Sequence, residues 1–337
     1  MARIDSFLRL VVEQGQSLAQ RGIFKVVNNR RLFHGMLRMA AVTQKPFTKG
    51  RFIRHLPLFL SDMTAFRSLP AIADRPLRDT ITAIPQPRSA EKAVVYAGCL
   101  IDFAYPETGE ALVRILNKAG VEVAFPEGQT CCGAPARYSG AYEVAAQNAR
   151  DNIRALLETE ARWVVSACPT CTVALKHDFL DTFRSLGMDD AIADAERLAA
   201  KVIDFSTLVK QLVDEGRLTF KEGEDLGRIT YHDSCHLKRT LKAEQPPRDL
   251  LTRAGHGIQE MAECDTCCGM AGSYSLKLPE ISAPILERKL KHIKETGAER
   301  VVMDCPGCVM QIRGGLDKDG SPVKAEHTAE RLEGRFQ

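Results

Sequence analysis

No run of 18 or more apolar residues occurs in the 337-residue chain, which excludes a transmembrane helix. The opening stretch Met1-Ala2-Arg3-Ile4-Asp5 lacks the apolar region of a secretory signal, so a reducing cytoplasm is the expected compartment. No Gly-x-Gly-x-x-Gly opens a helix, which removes the usual dinucleotide fingerprint. No nucleic-acid motif or series of stacking aromatics accompanies the basic residues, so nucleic-acid binding is not expected. Cysteine is missing from residues 1–98 and then appears eleven times.

What is present is the composition of a globular protein, 45% hydrophobic and 26% charged. The length suggests about two domains of roughly 150 residues. The net charge of +3 conceals a division: residues 1–90 carry +10 and residues 91–337 carry −7. Ile4, Phe7, Leu8, Val11, Val12 and Leu18 fall on one helical face, with Asp5 or Ser6 as cap and Gly22 as the expected end. Leu32, Phe33, Met36 and Leu37 follow, interleaved with Arg30, Arg31 and Arg38. This segment suits a docking arm for an acidic partner or an anionic membrane surface, which would place the protein peripherally at the cytoplasmic face. It equally suits basic helices packed on the rest of the chain. Asp5 and Glu13 argue against a mitochondrial presequence, and Ile84-Pro85-Gln86-Pro87-Arg88-Ser89 reads as a linker.

The cysteines belong to an internal repeat. Cys99, Cys131, Cys132, Cys168 and Cys171 match Cys235, Cys267, Cys268, Cys305 and Cys308 at offsets of 136 for the first three and 137 for the last two. The expected division is a basic helical segment and linker over 1–90, a first module over 91–227 and a second over 228–337. Each module alternates strand and helix, giving an α/β fold of two small parallel sheets with crossover helices behind a mostly helical N-terminal segment. In the first, strands are expected at Val94–Tyr96, Val121–Phe125 and Trp163–Ala167, with helices at 107–118 and 139–159. In the second, strands are expected at Ile229–His232, Gly257–Met261 and Arg300–Asp304, with helices opened by Pro246-Pro247 and Pro279. A dozen helical residues travel roughly 18 Å and five strand residues regain about 17 Å. All five cysteines of a module therefore reach the carboxyl ends of parallel strands, where open α/β folds build their sites.

Three chemistries compete for five thiols. Disulfides are disfavoured by the compartment and by the odd number. A Cys₄ zinc site leaves one thiol over, and zinc in one module remains the competing assignment. An iron–sulfur cluster suits soft thiolates best. Vicinal cysteines can grip two metal atoms if the backbone wraps closely, which Gly133 and Gly269 permit. Proline in each Cys-Pro-x-Cys opens a helix whose amides face an anionic group. Cys264 has no counterpart in the repeat and reads as an incidental thiol.

Two copies of Cys-x31-Cys-Cys-Gly-x34or35-Cys-x-x-Cys resemble the cysteine-rich CCG domain of the heterodisulfide reductase B subunit. The same domain occurs in the iron–sulfur subunits of lactate, glycolate and anaerobic glycerol-3-phosphate dehydrogenase complexes. The resemblance covers residues 91–337. It implies a noncubane [4Fe-4S] cluster on five cysteines in each module, hence two clusters. The words around Cys235 (231–239) and Cys268 (268–277) are more similar to the lactate-utilisation and glycolate-oxidase subunits. Residues 1–90 resemble the stretch that follows a ferredoxin-type motif in fused relatives, and that motif is absent here. The implied partners are therefore a ferredoxin-type iron–sulfur subunit and a flavin-containing dehydrogenase subunit.

His236, Lys238 and Arg239 crowd Cys235 and are candidates to hold a carboxylate substrate, or else to balance cluster charge or cap a helix. Leu100, Ile101 and Asp102 stand at or beside the matching places in the first module, which marks the second as the more reactive. Arg137 and Lys277 are further candidates, and His232 and Asp233, at a strand end, read as structural. The expected function is electron transfer in a complex that oxidises L-lactate or a related 2-hydroxy acid. The alternatives are disulfide chemistry at a cluster, or a zinc-stabilised scaffold.

Overall fold

The computed structural model describes residues 18–223, 225–272 and 274–337, so the apolar face from Ile4 to Val12 lies outside the described residues. Helix Leu18–Asn28 does not end at Gly22 but runs through it, because Phe24 is buried against Ala136, Ala141 and Ala145 and holds the next turn in place. Asn29 then caps helix Arg30–Thr43, its Oδ1 accepting from the Leu32 amide at 3.1 Å. Three two-residue strands follow in antiparallel order, β1 (Thr48–Lys49), β2 (Phe52–Ile53) and β3 (Leu69–Pro70).

Much of the positive charge of this segment is used within the chain. Arg38 pairs with Asp79, Arg51 with Glu107 and Arg78 with Asp102, while Arg54 grips Asp317 with two nitrogens at 2.7 and 2.9 Å. The stretch 84–90 has no helix or strand, yet Gln86 accepts from the Val123 amide at 2.9 Å and so lies along a sheet edge. Ile23, Leu32, Met36, Met39 and Val42 remain exposed. Among the described residues no helix is long and apolar enough to cross a membrane.

Each module holds a four-stranded, all-parallel sheet. The first is ordered β5-β4-β6-β7, with β4 (Lys92–Val95), β5 (Glu122–Ala124), β6 (Trp163–Ser166) and β7 (Val202–Asp204). The second repeats that order as β9-β8-β10-β11, with β8 (Arg228–Tyr231), β9 (Gly257–Ile258), β10 (Arg300–Met303) and β11 (Lys324–His327). Val94, Val95, Val164 and Val165 are buried, as both faces of a covered parallel sheet require. The fourth strands, β7 and β11, were not expected from the sequence. β7 is three residues long and β11 reads Lys-Ala-Glu-His, so neither shows an apolar run.

Helices 106–118 and 142–157 flank the first sheet, and helices 245–253, 279–295 and 306–318 flank the second. One buried core runs from Leu77 and Val94 through Leu208 to Ile229, Val302 and Phe336, so the two modules share an interior. A second core, with Leu286, Leu290, Ile312 and Leu316, lies on the other side of the second sheet.

Candidate metal centre

Parallel strands end at a common level, and the cysteines follow those ends. After β4, Tyr96-Ala97-Gly98 leads to Cys99 at the start of helix Gly98–Phe103. Gly98 has φ +62°, and a Cβ there would stand 2.9 Å from Cys171 Sγ, so glycine lets the backbone approach the thiol. After β5 come Cys131 and Cys132. After β6, Cys168 caps helix Pro169–Val173, its Sγ accepting from the Cys171 amide at 3.5 Å. The thiols then lie near enough to shift one another: Cys99 with Cys131, Cys131 with Cys132, Cys132 with Cys171, and Cys171 with Cys168.

The second set is built alike. Cys235 precedes a wide π-helical turn, His236–Leu241; Cys305 occupies the N-cap position of helix Pro306–Lys318 without a capping hydrogen bond from its side chain. Gly269, at φ +88°, passes so close to helix Pro279–Glu295 that a Cβ would stand 2.7 Å from the Ser282 carbonyl. Cys267 and Cys268, Cys268 and Cys308, and Cys308 and Cys305 likewise shift one another, the Cys268 and Cys308 sulfurs lying within 4.8 Å. Cys235 lies close enough to Cys305 and Cys268 to feel their charge, which with burial pushes its thiol up.

The two sets meet. Cys168 of the first module and Cys305 of the second lie near enough for each to shift the other's thiol, so the two sets adjoin. His327, at the end of β11, fastens this junction: its Nε2 lies 2.8 Å from the Ala167 carbonyl and 2.6 Å from the Asp304 carbonyl. Those are the residues just before Cys168 and Cys305. The Ala329 amide donates to Nδ1 at 3.0 Å, which leaves the ring proton on Nε2 for the two carbonyls.

The CCG cysteine-rich domain matches residues 93–176 and 229–313, one copy per sheet. The chain belongs to this family. The protein named Lactate utilization protein A from Halalkalibacterium halodurans is 36% identical over 245 residues, covering 72% of this chain and 96% of its own length. Lactate utilization protein A 1 from Bacillus mycoides is 36% identical over 248 residues, with the same coverage. A crystal structure of a hypothetical protein from Helicobacter pylori shares the fold at a TM-score of 0.51 and 9% identity, over 90% of this chain and 58% of that one.

Within each CCG set the thiols share protons unequally. Cys132 is held down to about 6 by hydrogen bonds from Cys131 and Cys171, while Cys131 is pushed up to about 12 by donating to Cys132. Cys268 is held well below the ordinary thiol range by Cys267 and Cys308, and Cys305 by Cys168 and Cys308. Cys99, Cys171 and Cys308 are raised as donors to Cys131, Cys132 and Cys268. Buried thiols that stabilise one another's thiolates, with few other partners, fit a metal cation or cluster that would replace the shared protons.

His232 joins the second set. Its Nδ1 faces the Cys264 carbonyl at 3.1 Å, and its Nε2 is buried without a hydrogen-bond partner. His232, Cys268 and Cys308 place their donor atoms within 4.8 Å of one another, so the strand-end histidine faces the thiols as well as serving the fold. Asp233 is structural: it is buried and clamped by Arg248 at 2.5 and 3.1 Å. Cys264 stands outside both sets and points its thiol to Asp233 at 3.5 Å.

The other candidates divide. His236 reaches the junction, its Nδ1 lying 2.9 Å from Thr170 Oγ1 and its ring stacked on Tyr138; Thr170 Oγ1 is itself 4.0 Å from Cys305 Sγ. Lys238 turns to Asp265 at 3.2 Å and Asp233 at 3.7 Å, and Arg239 to the Asp265 carbonyl at 3.4 Å. Arg137 lies between Asp178 and Asp181, and Lys277 reaches Ser139 of the other module at 3.5 Å.

Proposed function

We propose that this chain is an iron–sulfur, electron-carrying subunit of a lactate-utilising assembly, with one [4Fe-4S]-type cluster per CCG module. The first would be held by Cys99, Cys131, Cys132, Cys168 and Cys171, the second by Cys235, Cys267, Cys268, Cys305 and Cys308. The observation that carries the reading is that two five-cysteine sets adjoin, His327 Nε2 bonding the carbonyls just before Cys168 and Cys305, which gives each soft-ligand set an immediate neighbour. Clusters bound there would supply one-electron carriers. The chain's own contribution is to bury the thiols, cap them with the N-termini of helices 169–173 and 306–318, and hold the sets together through His327.

The relatives named Lactate utilization protein A support lactate as the fuel, and a flavin-containing dehydrogenase as donor and a ferredoxin-type subunit as neighbour are the partners the CCG resemblance implies. Protein purified without oxygen is expected to be brown, with roughly eight iron atoms per chain, and to mediate electron flow only with a partner. Colourless protein holding zinc alone would defeat the reading. Turnover of a disulfide by the isolated chain would move the assignment to disulfide chemistry, with His236 beside the junction as the group to test.

A further inference from the structure

The two thiol sets share a pattern and differ in what surrounds them. Beside the first, the groups that bond the cysteine backbone are neutral, Tyr96 donating to the Thr130 carbonyl at 2.6 Å and Asn152 bonding the Thr130 amide and the Cys131 carbonyl, each at 2.9 Å, and the buried Asp178 is paired with Arg137. The nearby carboxylate, Asp102, is matched by Arg78 at 2.5 Å. In the second module His232 takes the place of Tyr96. Ser282 stands against Gly269 as Ala145 stands against Gly133, which aligns Lys289 with Asn152. Arg67 arrives in addition from the N-terminal segment.

Arg67 and Lys289 are each 1% exposed, and neither forms an ion pair with a carboxylate among the described residues. Arg67 meets Ser275 Oγ at 3.0 Å and Met270 Sδ at 3.6 Å, and its Nε has no partner. Lys289 donates to the backbone carbonyl of Glu263, whose carboxylate is engaged by Arg288 and His292. Burial disfavours both charges, and the negative charge of Cys268 supports both. A buried cation without a counter-anion is strongly destabilising, so the anion these two serve is the second thiol set and its cargo. Reduction adds negative charge to such a centre, and neighbouring cations and water stabilise that state. Cys235 and Cys267 are partly exposed, whereas in the first set only Cys99 is.

We propose that the second centre is the electron sink of the pair. In the singly reduced chain one electron leaves the first centre and settles on the second across the junction that His327 fastens, the first being oxidised as the second is reduced. This rests on the iron–sulfur reading above.

An EPR-monitored redox titration of the iron-loaded full chain tests it. Two resolved potentials are expected in the unaltered protein. Lys289→Gln and, separately, Arg67→Gln should lower the more positive one by about 59 mV or more, a tenfold change for a one-electron couple, and leave the other in place. A Cys99→Ala chain, altered in the first set alone, should keep the more positive signal. Titration of both centres as one, a shift of the more negative potential instead, or a Cys99→Ala chain that keeps only the more negative signal would each overturn the proposal. A chain that binds no iron at all overturns the iron–sulfur reading, so the two failures are distinguishable.

Discussion

Replacing Gly98 by alanine separates two roles of glycine at the thiol edge. Gly98 has φ +62°, and an added Cβ would lie 2.9 Å from Cys171 Sγ and 3.6 Å from the Tyr96 ring. Gly297, after helix Pro279–Glu295, has φ +67° with nothing within 4 Å of the same added atom. An L-residue in the left-handed region costs about 1–2 kcal/mol, so both variants lose that much. At Gly98 the new methyl also stands about 0.6 Å inside ordinary contact distance, against a buried thiol bonded to Cys132. Overpacking of this kind adds about 1–3 kcal/mol. Thermal unfolding of the reduced, metal-free chain is the assay. At about 2–4 °C per kcal/mol for a unit of 150–250 residues, Gly98→Ala should melt roughly 2–12 °C below Gly297→Ala. After loading, it should also hold less iron. Equal melting temperatures with equal iron would refute the claim that Gly98 exists for the approach to Cys171.

Further outcomes follow from other contacts. Arg248→Ala leaves the buried Asp233 carboxylate, among the described residues, with only Lys238 as ion-pair partner at 3.7 Å and should cost up to about 3–5 kcal/mol in denaturant unfolding, with Asp233→Asn recovering part of the loss. His327→Ala leaves the Ala167 and Asp304 carbonyls without their donor, and a loss of about 1–3 kcal/mol is expected, together with faster labelling of Cys168 by a thiol reagent. A chain stopped before residue 324 should show the same Cys168 exposure. His34 is half-buried, and burial first, then Arg78, Arg30 and Arg38, bring it from 6.5 down to about 4. Because the unfolded chain binds the proton more readily, stability is full above pH 6.5 and declines as pH falls toward 4. Amide protection in helix Arg30–Thr43, referred to the intrinsic exchange rate at each pH, should fall across that window, and His34→Phe should flatten the dependence.

The ten cysteines were legible because a duplicated pattern with nearly constant offset survives without knowledge of the fold. The strand ends were legible to within a residue or two, except that β9 stops at Ile258, because Val94, Val164 and Val302 belong to short apolar runs between helical periods. β7 and β11 were not, since three and four residues carry no period and β11 is mostly polar. Arg67 was beyond reach because its partners Met270 and Ser275 lie more than 200 residues along the chain. His232 was within reach: its mismatch with Tyr96 in the repeat was readable, but a single histidine at a strand end gave no direction. The even choice between docking arm and packed basic helices moved toward packing wherever a carboxylate such as Asp317 or Glu107 meets the segment, while the stripe from Ile23 to Val42 stays open.

The single proton on His327 also sets an order of events. Synthesis passes Cys171 more than 150 residues before it delivers His327, at about 5–20 residues per second. Through that interval the first thiol set has its strands and helices but lacks the neighbour that covers Cys168. Glu330, which accepts from the Thr108 hydroxyl at 2.6 Å, and Phe336, whose ring lies tilted against Phe220 at 4.6 Å, come later still. The nascent chain therefore presents the Cys168 end of the first set for seconds without the His327 contact that later fastens it.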